Sequence, residues 1–491
     1  MTKVIVHQEP NPEDNAALQA WYSRSNKSVE EHWKKLSKEG SGKFMDQIFI
    51  QYGHASVGDL GTSTVYFEGI SMIAAKALQD NPLYNGQECS SRYIDMSTVD
   101  MVAPQDKACR EQVEALRSFY VSALPQTVEY LKEQHPIEDG QKVSTYEKAI
   151  NARAFDILRG FLPCGTTTNV AWSGTLRNLK ENLERLLHHP LDEVRRSSGD
   201  AYHKLKKAYP NSFDDGIAAA YTYEELLDCV GSERATFLSR TDQFYLVGQG
   251  DGMITDLDLA YGEMGSFGTA KKESLLVDIE PIAMFAGDDL LGYASSAHGV
   301  FKDDSLGLVV SDHVKGLMIP RHSTGANVSL SVYGTLDFGS FRDLQRHRGG
   351  YVGLPIVTGD WGFHRWYIDN LPPSLREAAV NLVFDLLQVY YEKLNDAESL
   401  GSTVYSKIRL QYMLPMGMIV PVDMRFPLRQ LVYFVELRSG QTVHPTLRQF
   451  AQSCAKVLEY EGVEVISDKR PDVWTIRRGD QDIVERKKEE A

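Results

Sequence analysis

Two apolar periods alternate along the chain. Val4-Ile5-Val6 and Leu275-Leu276-Val277 are short continuous apolar runs, each followed a few residues later by Glu-Pro (Glu9-Pro10, Glu280-Pro281). Such runs predict buried strands. At the same separation of 271 positions, Tyr22-Ser23-Arg24-Ser25 faces Tyr293-Ala294-Ser295-Ser296. Gly53-His54-Ala55-Ser56 and Arg321-His322-Ser323 each precede a strand-like stretch (63–67 and 328–333), a glycine and a short helical stretch ending on Gln79 or Gln345. Helical spacing of apolar residues covers roughly 107–120 and 375–394, the second opened by a Ser374 to Glu377 capping box and carrying Leu375, Ala379, Leu382, Val383, Leu386 and Tyr390 on its core face. Finally Leu162-Pro163 and Leu414-Pro415 are each followed fourteen positions after the proline by an arginine, Arg177 and Arg429, with a helical period beyond.

Any one of these pairs arises by chance, but four in the same order predict a tandem duplication. The first copy spans 1–205 and the second 272–480, with an unmatched insertion at 206–271 and a charged tail at 481–491. The insertion's Gly248-Gln249-Gly250-Asp251-Gly252-Met253 opens no βαβ unit and reads as a turn, not a dinucleotide loop.

The chain's 491 residues are too many for one ordinary core, which agrees with two copies. A formal net charge of −15 excludes a nucleic-acid backbone as partner, so a phosphate ligand is expected to be small and held by local arginines. The five cysteines form no CxxC pair, which predicts reduced thiols, a cytosolic setting and no structural metal. His188-His189 has no ligand partner at metal spacing and reads as a helix end. Neither a leader at the start nor an apolar run of about 18 residues is seen, so no membrane span is expected.

The copies differ where polar residues cluster. After Gln345 comes Arg346-His347-Arg348, whereas Gln79 is followed by Asp80-Asn81-Pro82. Slightly further on, the first copy has Glu88-Cys89-Ser90-Ser91-Arg92-Tyr93 where the second has Leu354-Pro355-Ile356-Val357-Thr358-Gly359. Arg-His-Arg followed at short distance by Glu-x-Ser-x-Arg-Tyr resembles the signature of the flavin-dependent thymidylate synthases, here split between the copies. The resemblance extends to the Gly-His-x-Ser entry at His54 and to arginines placed around the Leu-Pro strand. Copy one carries Arg159 and Arg177 but Leu186 at the third arginine position; copy two has Gln411 at the first and keeps Arg429 and Arg438.

The resemblance implies an α+β fold, an antiparallel sheet flanked by helices, in two tandem copies. It implies that Glu88, Ser90, Ser91, Arg92 and Arg159 bind the nucleotide substrate, the arginine forks gripping its phosphate. Arg438 would be catalytic, stabilising charge that develops on the pyrimidine ring so that no covalent cysteine is required. His54, Ser56, Arg177, His322, Arg346, His347, Arg348 and Arg429 would bind FAD, with NADPH and methylenetetrahydrofolate as co-substrates. The family builds its sites from several subunits of a tetramer, which implies a homodimer of tandem chains forming a pseudo-tetramer. From the residues alone plainer readings stay open: Arg-His-Arg as a solvated basic run, Arg92 as a surface ion-pair partner, Arg159 and Arg177 as snorkelling side chains, and His54 as a turn histidine. Three functions follow: methylation of dUMP at C5 with reduction by FAD, flavin-dependent C5 modification of another pyrimidine suggested by Gly353 and Leu354, or nucleotide and flavin binding without turnover.

Overall fold

The structure, a computed structural model, describes residues 2–7, 11–23, 25, 27–47, 55–92, 94–213, 276–277, 284–286, 329–399, 408–460, 465–470 and 474. His54 and His322, the glycine cluster of the insertion and the tail lie outside them. The chain divides into two compact units, Met1–Cys89 with Thr166–Ile254 and Ser90–Gly165 with Thr255–Ala491.

In the first unit, β1 (Lys3–His7), β2 (Thr62–Ser71), β3 (Asn85–Glu88) and β4 (Thr167–Thr175) form an antiparallel sheet in the order β1-β2-β4-β3. β2 ends on Ser71, whose Oγ accepts from Ala74 N at 3.0 Å and caps the buried helix α1 (Met72–Gln79). β4 runs through Thr175, which caps α2 (Leu176–Leu186) in the same way. Leu176, Leu179, Leu183 and Leu186 recur at helical spacing and are fully or almost fully buried, together with Val65, Phe67 and Trp172 of the sheet. A further helix, α3 (Asp192–Ala208), continues past the boundary at 205.

The second unit repeats that sheet. β5 (Met284–Ala286), β6 (Ser329–Asp337), β7 (Tyr351–Val352) and β8 (Ile419–Pro427) pair antiparallel in the order β5-β6-β8-β7. β6 ends on Asp337, whose Oδ2 accepts from Ser340 N at 2.8 Å to cap α4 (Phe338–Leu344), the joint made by Ser71 in the first copy. β8 leads into α5 (Leu428–Arg438), which matches α2 residue for residue in length, and α6 (Pro445–Tyr460) follows. Equal strand order, equivalent side-chain caps at Ser71 and Asp337, and matching strand-to-helix joints make the chain two tandem copies of one α+β fold.

Two helices of first-copy sequence belong to this second unit, α7 (Lys107–Gln134) and α8 (Val143–Leu158). α7 outruns the stretch 107–120 read from periodicity, because it continues through Pro125; its buried face extends from Cys109 to Leu131, and Thr127 Oγ1 donates to Ala123 O at 2.8 Å. It packs against α9 (Pro373–Ser399), the long helix predicted for the second copy. Beyond α8, a 3₁₀ turn (Arg159–Phe161) enters Leu162-Pro163, and its twin (Gln411–Met413) enters Leu414-Pro415. These two segments meet at a bridge between Pro163 and Pro415. Cys164 N donates to Leu414 O at 2.7 Å and Met416 N to Leu162 O at 2.8 Å; Gly165 N donates to Tyr412 O at 2.9 Å and Gly417 N to Gly160 O at 2.7 Å. The bonds come in reciprocal pairs.

Close packing beside this bridge demands glycine. A Cβ on Gly160 would lie 2.5 Å from the Tyr367 ring and one on Gly417 2.4 Å from the Phe363 ring. Gly160→Ala and Gly417→Ala are each expected to lower stability by about 1–3 kcal/mol through overpacking. Gly199→Ala, inside α3 with its nearest atom at 3.6 Å, is expected to raise it by about 0.5–1 kcal/mol. Urea unfolding of the three variants checks the contrast.

Candidate functional site

Residues of both copies converge in the second unit. Helical spacing places Asp156 one turn before Arg159 at the end of α8, and Asp343 one turn before Arg346 at the end of α4. Arg92, just beyond the first copy's β3, lays its guanidinium on Asp156: Nε donates to Oδ1 at 2.5 Å and Nη2 to Oδ2 at 2.9 Å, with longer 3.4 Å contacts to the Thr442 carbonyl. Arg159, 1% exposed, donates from Nη2 to Ser340 Oγ at 2.8 Å and brings Nη1 within 4.0 Å of Asp343. Its Nε is buried without a hydrogen-bond partner. Ser340 Oγ also meets Thr446 Oγ1 at 2.7 Å and His444 Nδ1 at 3.2 Å, while His444 Nε2 reaches the Asp156 carbonyl at 3.2 Å. Both arginines are therefore set by a buried polar network that runs from α8 to α4 and α6.

The second-copy run folds around the same point. Arg346, about half exposed, approaches Asp343 at 3.5 Å, and Arg438 at the end of α5 donates from Nη2 to the Asp343 carbonyl at 3.1 Å and from Nε to His347 Nε2 at 2.8 Å. Because Nε2 accepts, the proton of a neutral His347 sits on Nδ1. Burial, reinforced by Arg438 and Arg346, pushes His347 down to about 3, so the ring is neutral at working pH. Burial alone would raise the Asp343 carboxyl; instead Arg346, Arg159, Arg92 and Arg438 together hold it down to about 2. Arg438 is lowered by burial, yet guanidinium groups start so high that it stays charged. Ser91 is buried and accepts from Arg342 Nη1 at 3.0 Å, and Ser90 Oγ accepts from Arg92 N at 3.2 Å. Arg348 and Arg429 are half-buried in this unit.

The remaining described candidates lie in the first unit. Glu88 forms a buried ion pair with Lys76 at 2.7 Å and accepts from Gln79 Nε2 at 2.8 Å. Arg177 is half-buried and paired with Asp59 and Glu181 at 3.2 and 2.8 Å. Ser56 is exposed in a 3₁₀ turn (Ala55–Leu60).

The sequence reading passed over Asp156, Asp343, Arg342, Ser340, His444 and Thr446. The two aspartates carried a usable signal, since each lies three residues before an arginine already singled out, on one helix face. Nothing local marks the hydroxyls and His444, which join the network only through the tertiary fold. Among the described residues no cluster of His, Cys, Asp and Glu has metal-site geometry, and no helix is long and apolar enough to cross a membrane.

Residues 3–211 match the family described as thymidylate synthase complementing protein. Two UPF0159 proteins are similar over most of their length: one from Thermoplasma acidophilum is 25% identical over 485 residues, covering 89% of this chain and 91% of its own, and one from Chlamydia muridarum is 24% identical over 438 residues, covering 86% and 79%. Among solved structures, a UMP/dUMP methylase PolB from Streptomyces cacaoi bound with 5-Br dUMP covers 43% of this chain and 93% of its own at 14% identity and a TM-score of 0.27. Thymidylate synthase X from Helicobacter pylori with FAD and dUMP covers 44% and 98% at 18% identity, also with a TM-score of 0.27.

The neutral His347 gives the site a pH signature. Its pKa is about 3 in the folded chain against an ordinary value of 6.5, so between those values the unfolded chain binds more protons and stability falls as pH drops. His347→Asn, which cannot take up that proton, is expected to flatten the decline of melting temperature between pH 6.5 and pH 4. An identical acid limb in both proteins would show that His347 does not carry it.

Proposed function

We propose that this chain, residues 3–211 of which match the family described as thymidylate synthase complementing protein, transfers a one-carbon unit to C5 of dUMP, as the flavin-dependent thymidylate synthases it resembles do. Reduced FAD, when bound, supplies the reducing equivalents that leave a methyl group on the product; NADPH and methylenetetrahydrofolate are the co-substrates this reading requires. The observation that carries it is the meeting of Arg92 and Arg159 from the first copy with Arg346 and Arg438 from the second around Asp343.

In this reading Ser90, Ser91, Arg92 and Arg159 bind the nucleotide phosphate. Asp156 fixes the plane of Arg92 by gripping one edge of its fork, and the 3.4 Å contacts of that guanidinium to the Thr442 carbonyl are long enough for a phosphate oxygen to outcompete. Arg438 stands as the fixed cation toward the pyrimidine, stabilising negative charge as C5 becomes nucleophilic. Cys109, Cys164 and Cys454 fit poorly as nucleophiles: they are buried, and desolvation pushes their thiols up, Cys109 to about 11, whereas Cys89 is only part-buried. The donor chemistry of Arg346, Arg348 and Arg429 suits the anionic pyrophosphate of FAD, and the half exposure of Arg346 leaves it able to turn toward an anion. Glu88 and Arg177 have carboxylate or ammonium partners in the first unit, which favours a second reading, binding of nucleotide and flavin without turnover.

Anaerobic titration with FAD, followed by NADPH oxidation in the presence of dUMP and methylenetetrahydrofolate, separates the two. Binding with turnover is expected; binding without turnover leaves the second reading, and no FAD binding sinks both. Arg92→Ala and Arg438→Ala are each expected to cut turnover by about a hundredfold or more. Because one chain supplies both arginines, mixing the two variants should restore nothing. Unchanged turnover and nucleotide affinity in Arg92→Ala would refute the composite site.

A further inference from the structure

Three aspartates stand near the arginine cluster, and two of them accept hydrogen bonds of 2.9 Å or shorter through their side chains. Asp156 accepts both bonds of the Arg92 fork at 2.5 and 2.9 Å. Asp337 accepts from Ser340 N at 2.8 Å and Tyr367 Oη at 2.7 Å through one oxygen, deep in the core. Asp343 differs. Its side-chain oxygens stand 3.5 Å from Arg346 Nε and 4.0 Å from Arg159 Nη1, longer than hydrogen bonds, and its side chain is 16% exposed against 2% for Arg159. Only its main-chain carbonyl is firmly held, by Arg438 Nη2 at 3.1 Å. The carboxylate thus offsets arginine charge without saturating arginine donors, and it sits on the more open side of the cluster.

Building on the nucleotide reading above, we propose that Asp343 is the specificity-determining residue of the phosphate site: its fixed negative charge lets the arginines accept a nucleoside monophosphate and rejects a second phosphoryl group. A monophosphate is bound through donors that Asp343 leaves available. A diphosphate carries additional negative charge into the neighbourhood of a carboxylate that four arginines keep ionised, and like-charge repulsion is strongest where water is scarce. Attraction to the arginines favours any anion, so the discrimination comes from the repulsive element.

The test uses the full-length chain saturated with FAD, so that Arg346, Arg348 and Arg429 are occupied and cannot take free pyrophosphate, with inorganic phosphate, inorganic pyrophosphate and dUMP as probes, measured by calorimetry. Wild type is expected to bind phosphate at least as tightly as pyrophosphate; a wild-type preference for pyrophosphate overturns the proposal without any variant. In Asp343→Asn and Asp343→Ser the pyrophosphate-to-phosphate affinity ratio is expected to rise about tenfold, whereas Asp343→Glu should keep it within about twofold. An unmoved ratio in a neutral variant that melts cooperatively overturns it, as does loss of phosphate binding in such a variant, which would mean Asp343 only holds the arginines in place. If the ratio shifts but wild type does not bind dUMP, the Asp343 role stands and the thymidylate synthase reading falls. If dUMP binds and turns over while the ratio is unmoved, the reverse holds.

Discussion

Four main-chain hydrogen bonds across Pro163 and Pro415 tie the two copies together, and the position of the site follows from them. They link the Leu-Pro segments of both copies in reciprocal pairs at 2.7 to 2.9 Å. The 3₁₀ turn that carries Arg159 runs directly into Leu162, so pairing of Leu162 and Gly160 with the second copy fixes where that arginine emerges. Its fork then meets Ser340 and Asp343 on α4, a helix whose start is fixed by the Asp337 cap at the end of β6. Main-chain bonds suit this task because they constrain the turn whatever side chain it presents. The same turn presents arginine in one copy and glutamine in the other.

Two copies of one fold offer two equivalent places for an arginine cluster, and burying charge is costly unless it is paired and hydrogen-bonded. The cluster is kept in one of them. Opposite Arg159, Gln411 is neutral and satisfied, accepting from Val357 N at 2.9 Å and donating to Ile408 O at 3.1 Å. Opposite Arg438, Leu186 is 1% exposed and part of the first unit's core. The polar residues left in the first copy close on themselves, Lys76 with Glu88 and Asn81 with Asn178 at 2.9 Å. Divergence of the copies is therefore concentrated where the duplicated charge would otherwise have to be buried twice.

The repeat was legible in the sequence because it lives in local signals: Leu-Pro pairs, capped strand-to-helix joints and arginines at fixed spacing survive divergence. The distribution of helices between units was not. Residues 107–158 belong to the first copy by order along the chain, yet α7 and α8 sit in the second unit, since periodicity reports which face of a helix is buried and not against what. Proline 125 hid the second half of α7 for a related reason: inside a long packed helix the lost main-chain bond is offset by burial on the flanking turns. Among the site residues, the arginines could be picked out by type and spacing, whereas Asp156 and Asp343 looked like ordinary helical acids until the fold set Asp156 against Arg92 and Asp343 against Arg159 of the other copy.

The partners of the arginines differ in a way that bears on chemistry. Arg92 faces a carboxylate along a full fork, so part of its field is cancelled, which suits the phosphate-gripping role proposed for it. Arg438 is held instead by two acceptors without net charge, the Asp343 carbonyl and the Nε2 of a histidine that burial keeps neutral. A protonated His347 could not accept that bond and would add a like charge beside it. By depressing the histidine, the fold fixes the orientation of Arg438 while preserving most of its positive charge in a partly buried setting where water screens it weakly. Of the arginines in the cluster, Arg438 therefore has the electrostatic surroundings best suited to stabilise negative charge that appears only during reaction.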